Sequence, residues 1–294
     1  MPRTRAATWQ DYLKSLPLYL LPHHAISRLT LRLTRIRVHW FKNVFIRWFA
    51  GRYRVNWDEA LHRRPEDFEH FNAFFTRELA PGVRPLQGDE HTVVSPADGH
   101  ISQLGAIDHD TVFQAKGHGF SVCELLGGDT ETARLFRDGS FVTVYLSPRD
   151  YHRLHMPLTG QLQKTRYIPG RLFSVAPHTT RVVPRLFARN ERLVALFETC
   201  AGPMAMVLVG AINVAAIETV WDGLVTPPHR RHIETRDFTG KAISLQRGEE
   251  MGRFNMGSTV ILLFGKDALH WRPGLIAEAP VRVGEAMAEV EKPG

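Results

Sequence analysis

The sequence predicts an α+β fold, with a β-rich body over residues 81–294 preceded by amphipathic helices over residues 1–80. Three observations carry this. Apolar residues recur at spacings of three and four between residues 26 and 48, the period of one helix face. From Val93 onward the pattern changes to short β-rich runs separated by Gly, Pro, Asp and Asn. Strands and helices do not alternate regularly, which argues against a doubly wound parallel sheet. At 294 residues, 44% hydrophobic and 23% charged, the chain can bury a sizeable core, and its scattered Gly and Pro mark neither a linker nor a repeat.

The first short helix is expected around Trp9, Tyr12, Leu13 and Leu16, before Pro17 and Pro22 interrupt the spacing. The main helix is expected over residues 26–48, where Ile26, Leu29, Leu33, Ile36, Trp40, Val44 and Trp48 share a face. Residues 1–50 hold nine Lys/Arg against one acid, Asp11, so the excess of +7 sits in this segment together with three of the six tryptophans. Basic residues beside Trp and Leu are the composition of an interfacial helix on anionic lipid. The alternative is a helix packed on the protein's own core with a solvated basic face. No nucleic-acid-binding module is visible, so no nucleic-acid partner is expected. Trp9-Gln10-Asp11-Tyr12 breaks any signal-peptide core, and no run of roughly 18 apolar residues offers a spanning helix.

Residues 58–79 read as helical, with Pro65 starting a second short helix that puts Phe68, Phe71, Phe74 and Phe75 on one face. Strands are expected at Phe141–Leu146, Ala205–Val209, Ala211–Ile217 and Thr259–Phe264. Cys123 and Cys200 cannot form a disulfide framework and show no C-x-x-C, so both read as small buried residues in a reducing compartment.

Four segments could carry chemistry. In Ser95-Pro96-Ala97-Asp98-Gly99, Asp98 either stabilises a turn or orients a histidine. In the segment from Tyr145 to Pro157, His152 and His155 follow a strand end, a place for a catalytic histidine; a metal pair there lacks further ligands at recognisable spacing, and no metal is expected. Gln114-Ala115-Lys116-Gly117-His118-Gly119 is not a phosphate loop, but Lys116 could hold pyridoxal phosphate in a decarboxylase of a soluble amino acid. Gly252 to Thr259 ends in Gly257-Ser258-Thr259 before an apolar strand, which alone reads as a tight turn. A non-enzymatic alternative is a membrane-attached β-sandwich carrier, since Val281–Val290 loosely resembles a lipoyl-type domain without a modifiable Lys at a hairpin tip.

Together and in this order, the four segments resemble phosphatidylserine decarboxylase proenzymes of the bacterial type. The resemblance runs from about residue 68 to residue 264. It includes Phe74-Phe75-Thr76-Arg77, Arg84-Pro85, the run from Phe187 to Arg192, Gly202-Pro203-Met204, Ile217 to Trp221 and Gly248 to Gly252. It implies self-cleavage at the Gly257–Ser258 bond, with Asp98, His155 and Ser258 as the self-cleavage triad. Ser258 would become a covalent pyruvoyl group that forms a Schiff base with phosphatidylserine. Phosphatidylethanolamine and carbon dioxide would be the products, as a step of phospholipid biosynthesis, and His152 is similar to a histidine implicated in decarboxylation. The products of cleavage would be a large chain, 1–257, and a small chain, 258–294, held as a heterodimer. The resemblance implies a peripheral enzyme on the cytoplasmic side of the cell membrane; homo-oligomerisation is left open. Met256 stands where the family usually has Leu, a swap of similar size, and Ala215-Ala216 stand where Gly-Ser is usual.

Overall fold

The six residues Thr259–Phe264, a β-branched and apolar run, form the middle strand of the largest sheet. All six are buried, as a strand covered on both faces requires. In the computed structural model, which describes residues 6–115, 118–212, 216–227, 229–255 and 258–291, this strand pairs antiparallel with Ser140–Tyr145 on one side and Gly202–Val209 on the other. Among the described residues the sheet reaches nine strands, all paired antiparallel. Two smaller sheets matter for the site. One joins Ile217–Thr219, Glu250–Phe254 and Arg153–His155, and the other joins Thr92–Val94, Ala286–Val290 and Leu269–Trp271. The mixed helical and antiparallel β architecture is the α+β fold that the sequence predicts. Lys116, Ala215, Met256 and Gly257, singled out in the sequence, lie outside the described residues.

Three helices lead the chain: α1 (Trp9–Ser15), α2 (His23–Thr34) and α3 (His39–Tyr53). Thr8 caps α1 in a reciprocal box with Asp11, and Asp11 also pairs with Arg181 of the body. The single helix expected over residues 26–48 is two, broken between Thr34 and His39. The Thr34 hydroxyl donates back to Thr30 O (2.9 Å) and Leu31 O (3.2 Å), the local bonding with which Thr competes against helix continuation.

The helical expectation over residues 58–79 shrinks to a single 3₁₀ turn, Pro65–Asp67, and a short helix, Phe71–Phe75. The four phenylalanines do share a buried cluster, with Ile46 and Phe49 of α3. Burial of one such ring contributes about 1.5–3 kcal/mol, and Phe74→Ala would cost about 3–5 kcal/mol. Of the strand expected at Ala211–Ile217, residues 213–215 lie outside the described residues, and Ile217 begins a strand that runs to Thr219. Cys200 is exposed and Cys123 half-buried, against the expectation that both are buried.

Candidate active site

Asp98 ends a turn that lies flat against a neighbouring strand. A Cβ on Gly99 would sit 2.2 Å from Tyr145 O, so only glycine allows this approach. Both Asp98 oxygens are engaged. Arg84 Nε donates to Oδ1 (3.0 Å) and Oδ2 (3.2 Å), Arg84 Nη2 donates to Oδ2 (2.5 Å), and Val283 N donates to Oδ1 (2.9 Å). Glu59 takes a further bond from Arg84 Nη2 at 2.7 Å, so one guanidinium ties the residue 59 and residue 98 segments together.

His155 lies beside this turn, its amide donating to Pro96 O at 2.9 Å. Its ring makes two contacts: Nδ1 meets Gly248 O at 2.7 Å and Nε2 meets Tyr151 Oη at 3.1 Å. A carbonyl only accepts, so Nδ1 carries the proton and Nε2 holds the lone pair that accepts from Tyr151. Burial lowers the His155 pKa and raises that of Tyr151, which keeps the imidazole neutral and the phenol protonated. Asp98 makes no hydrogen bond to His155, because its oxygens belong to Arg84 and Val283; its carboxylate acts on His155 only through its charge. Arg84, Tyr151, Arg153, His155, Gly248 and Glu250 line a pocket of about 360 Å³.

Ser258 enters the middle strand of the large sheet. Its carbonyl accepts from Leu146 N at 2.9 Å, and the side chain is fully buried. The Ser258 hydroxyl has no hydrogen-bond partner among the described residues. No hydrogen bond therefore joins Asp98, His155 and Ser258, although His155 and Ser258 both belong to segments paired beside the loop 147–151.

His152 directly follows that loop and is completely buried. Nδ1 meets Asp150 O at 2.8 Å and so donates, which leaves the lone pair on Nε2; Nε2 is buried and has no partner among the described residues. The ring packs on Phe75 with centroids 4.1 Å apart. Burial, aided by the nearby Arg77 charge, pushes the His152 pKa down to about 3. Phe254 N donates to His152 O at 3.0 Å, so the chain that leads to Ser258 is anchored on the His152 backbone. The Ser258 hydroxyl and His152 Nε2 are thus both buried with no hydrogen-bond partner among the described residues, which is a cost to the fold.

A second surface lies on the leading helices. The expected stripe faces outward: Trp40 is 72% exposed, Val44 59%, Trp48 58% and Leu29 57%. The inward faces include polar residues instead, His23, Ser27 and Thr34 of α2 and Lys42 and Asn43 of α3. Lys42 Nζ satisfies itself inside on Asn43 Oδ1 (2.7 Å) and Pro65 O (2.9 Å). The stripe is thus mostly exposed, with Ile26 and Ile36 half-buried, while α3 packs on the protein's own core through Ile46, Phe49 and Ala50. No helix among the described residues is long and apolar enough to cross a membrane.

Sequence reasoning missed Arg84, Tyr151 and Gly248 as partners of the site. Arg84 and Gly248 stand within the segments quoted for the resemblance, but nothing in their spacing shows which carboxylate or histidine they meet.

Comparison with known proteins places these segments in one group. A family model described as phosphatidylserine decarboxylase matches residues 71–289, and a second, described only as PSD, matches residues 13–54. A phosphatidylserine decarboxylase proenzyme of Pseudomonas fluorescens is 56% identical over 92% of this chain and 94% of its own. One from Pseudomonas putida is 56% identical over 92% of this chain and 95% of its own. One from Alkalilimnicola ehrlichii is 54% identical over 95% and 96%.

Proposed function

The chain belongs to the phosphatidylserine decarboxylase family, and from that membership we propose that it is made as a precursor, cuts itself at Gly257–Ser258 and then decarboxylates phosphatidylserine to phosphatidylethanolamine. The observation that carries this reading is the Ser258 hydroxyl, fully buried and with no hydrogen-bond partner among the described residues, at the head of the central strand. A serine hydroxyl with no such bond has no competing contact to break before it attacks the preceding carbonyl.

In the proposed self-cleavage, His155 Nε2 exchanges the Tyr151 hydroxyl for that of Ser258 and takes its proton. The Ser258 oxygen then bonds to the Gly257 carbonyl carbon, the Gly257–Ser258 amide bond breaks, and an ester replaces it. Removal of the Ser258 α-proton expels the Gly257 carboxylate and leaves a dehydroalanine, which water converts to a pyruvoyl end with release of ammonia. Asp98, fixed by Arg84, supplies a negative charge that favours the transient imidazolium of His155.

The Ser258 position fits a pyruvoyl group, because it is fully buried at the head of the central strand and thus kept from water. When formed, the group supplies a carbonyl that takes up the substrate amine and accepts the electron pair left by carbon dioxide. His152, beside Phe75 and shielded from water, is the proposed proton carrier for the product carbon: its Nε2 has no partner among the described residues and its ring stays neutral until a proton is passed to it. Trp40, Val44 and Trp48 enter the lipid interface, with the flanking arginines on anionic headgroups, on the cytoplasmic face of the cell membrane. Purified Ser258→Ala protein should run as one intact chain, while the unaltered protein yields a fragment of residues 258–294 whose mass reads pyruvoyl in place of serine. Intact unaltered protein after purification would remove the proposal.

A further inference from the structure

Away from Ser258, His24 in the first turn of α2 meets Glu191 and His229 of the body. His24 Nε2 lies 3.0 Å from Gly170 O, so it donates there and its lone pair sits on Nδ1. A Cβ on Gly170 would lie 2.5 Å from Arg189 O, so the carbonyl that fixes this tautomer belongs to a backbone crossing only glycine permits. His229 Nδ1 lies 2.9 Å from both Glu191 oxygens; a carboxylate accepts, so the lone pair of His229 sits on Nε2. His24 Nδ1 and His229 Nε2 are both buried and have no hydrogen-bond partner among the described residues. The two rings stand 4.6 Å apart, and the side chains of His229 and Glu191 are 9% and 3% exposed.

His24 Nδ1 offers its lone pair, and where His229 Nδ1 meets Glu191 a cation can replace the shared proton, with the ring proton of His229 moving to Nε2, so Nδ1 of both rings and a Glu191 oxygen are the ligand atoms. One ligand atom from each of His24, Glu191 and His229 lies within 4.8 Å of the others. Around tetrahedral Zn²⁺ the ligand atoms stand about 3.4 Å apart, so side-chain rotations of about an ångström close the set. We propose that His24, Glu191 and His229 form a site for a divalent metal of the zinc class, with a water completing the coordination. The metal would staple α2, and with it the outward apolar stripe, to the catalytic body. The site does not depend on the chemistry at Ser258. Its residues lie 167 and 38 positions apart in the chain, and no local motif announces them.

Metal-stripped full-length protein titrated with Co²⁺ tests this. The expected result is one saturable equivalent with tetrahedral ligand-field absorbance, displaced by Zn²⁺, and a melting temperature raised by either metal. His24→Gln and His229→Gln should each weaken uptake on the order of tenfold or more. His24 is half-buried at a helix start, so His24→Gln decides alone if the His229 variant fails to fold. Absence of saturable uptake, or uptake with the same affinity in His24→Gln, overturns the site.

Discussion

Tyr151 gives its hydroxyl hydrogen to His155 Nε2 over 3.1 Å, which occupies the one lone pair that the histidine can offer as a base. With Gly248 O holding the opposite ring nitrogen at 2.7 Å, His155 rests in a single tautomer, aimed at the phenol. The proposed self-cleavage must break this contact before Ser258 can use the base.

Tyr151→Phe should therefore speed processing. Loss of a bond worth about 0.5–1.5 kcal/mol raises the fraction of unengaged His155 by between about two- and tenfold. The measurement is the half-life of the intact chain after synthesis in a cell-free system. Slower processing in Tyr151→Phe would mean that the phenol helps the reaction and is not a competitor.

Arg84 positions Asp98, so Arg84→Ala should leave a poorly aimed carboxylate, slow processing and destabilise the fold by about 3–5 kcal/mol, the cost of breaking a pair that is largely buried on both sides. Arg84→Lys keeps the charge but not the fork and should recover stability more than processing rate. Urea midpoints and processing half-lives of both variants check the split; equal recovery of the two would assign Arg84 a purely structural role.

Much of this was legible before the structure, and the residues show why. Thr259–Phe264 is six buried residues in a row, so local propensity and tertiary demand agree. The outward stripe was legible as a face, but periodicity does not say whether a face meets core or solvent. The break between Thr34 and His39 escaped because the apolar spacing continues through it, while the interruption comes from a threonine bonding its own backbone. The surroundings of His155 escaped for another reason: Gly248 is 93 residues away, and its carbonyl arrives only through the pairing of Glu250–Phe254 with Arg153–His155.

His152 should make the fold acid-sensitive. Its pKa stands at about 3 in the fold against 6.5 for a free imidazole, so between those values the unfolded chain binds the extra proton. The stability from burying it neutral is complete above pH 6.5 and is lost as pH falls toward 3, by up to about 1.4 kcal/mol per pH unit. His155 shifts in the same direction and adds to the loss. In a Ser258→Ala background, which keeps one chain, urea midpoints between pH 7 and 5 should fall more for His152 protein than for His152→Gln. Parallel curves would show that His152 does not carry this load.

The exposed tryptophans give the last test, because affinity and stability separate there. Trp40 and Trp48 are 72% and 58% exposed, so Trp→Ala at either site removes little packing and should leave the melting temperature nearly unchanged. At a bilayer each ring would bury apolar area worth about 1.5–3 kcal/mol, so each substitution should weaken vesicle binding on the order of tenfold. Salt distinguishes the two forces: a Trp variant loses affinity at every ionic strength, whereas Arg32→Ala with Arg47→Ala loses it mainly at low salt, where headgroup attraction is unscreened. Sedimentation with phosphatidylserine-containing and neutral vesicles measures both. Unchanged binding in Trp40→Ala with Trp48→Ala would mean that this face meets another protein and not lipid.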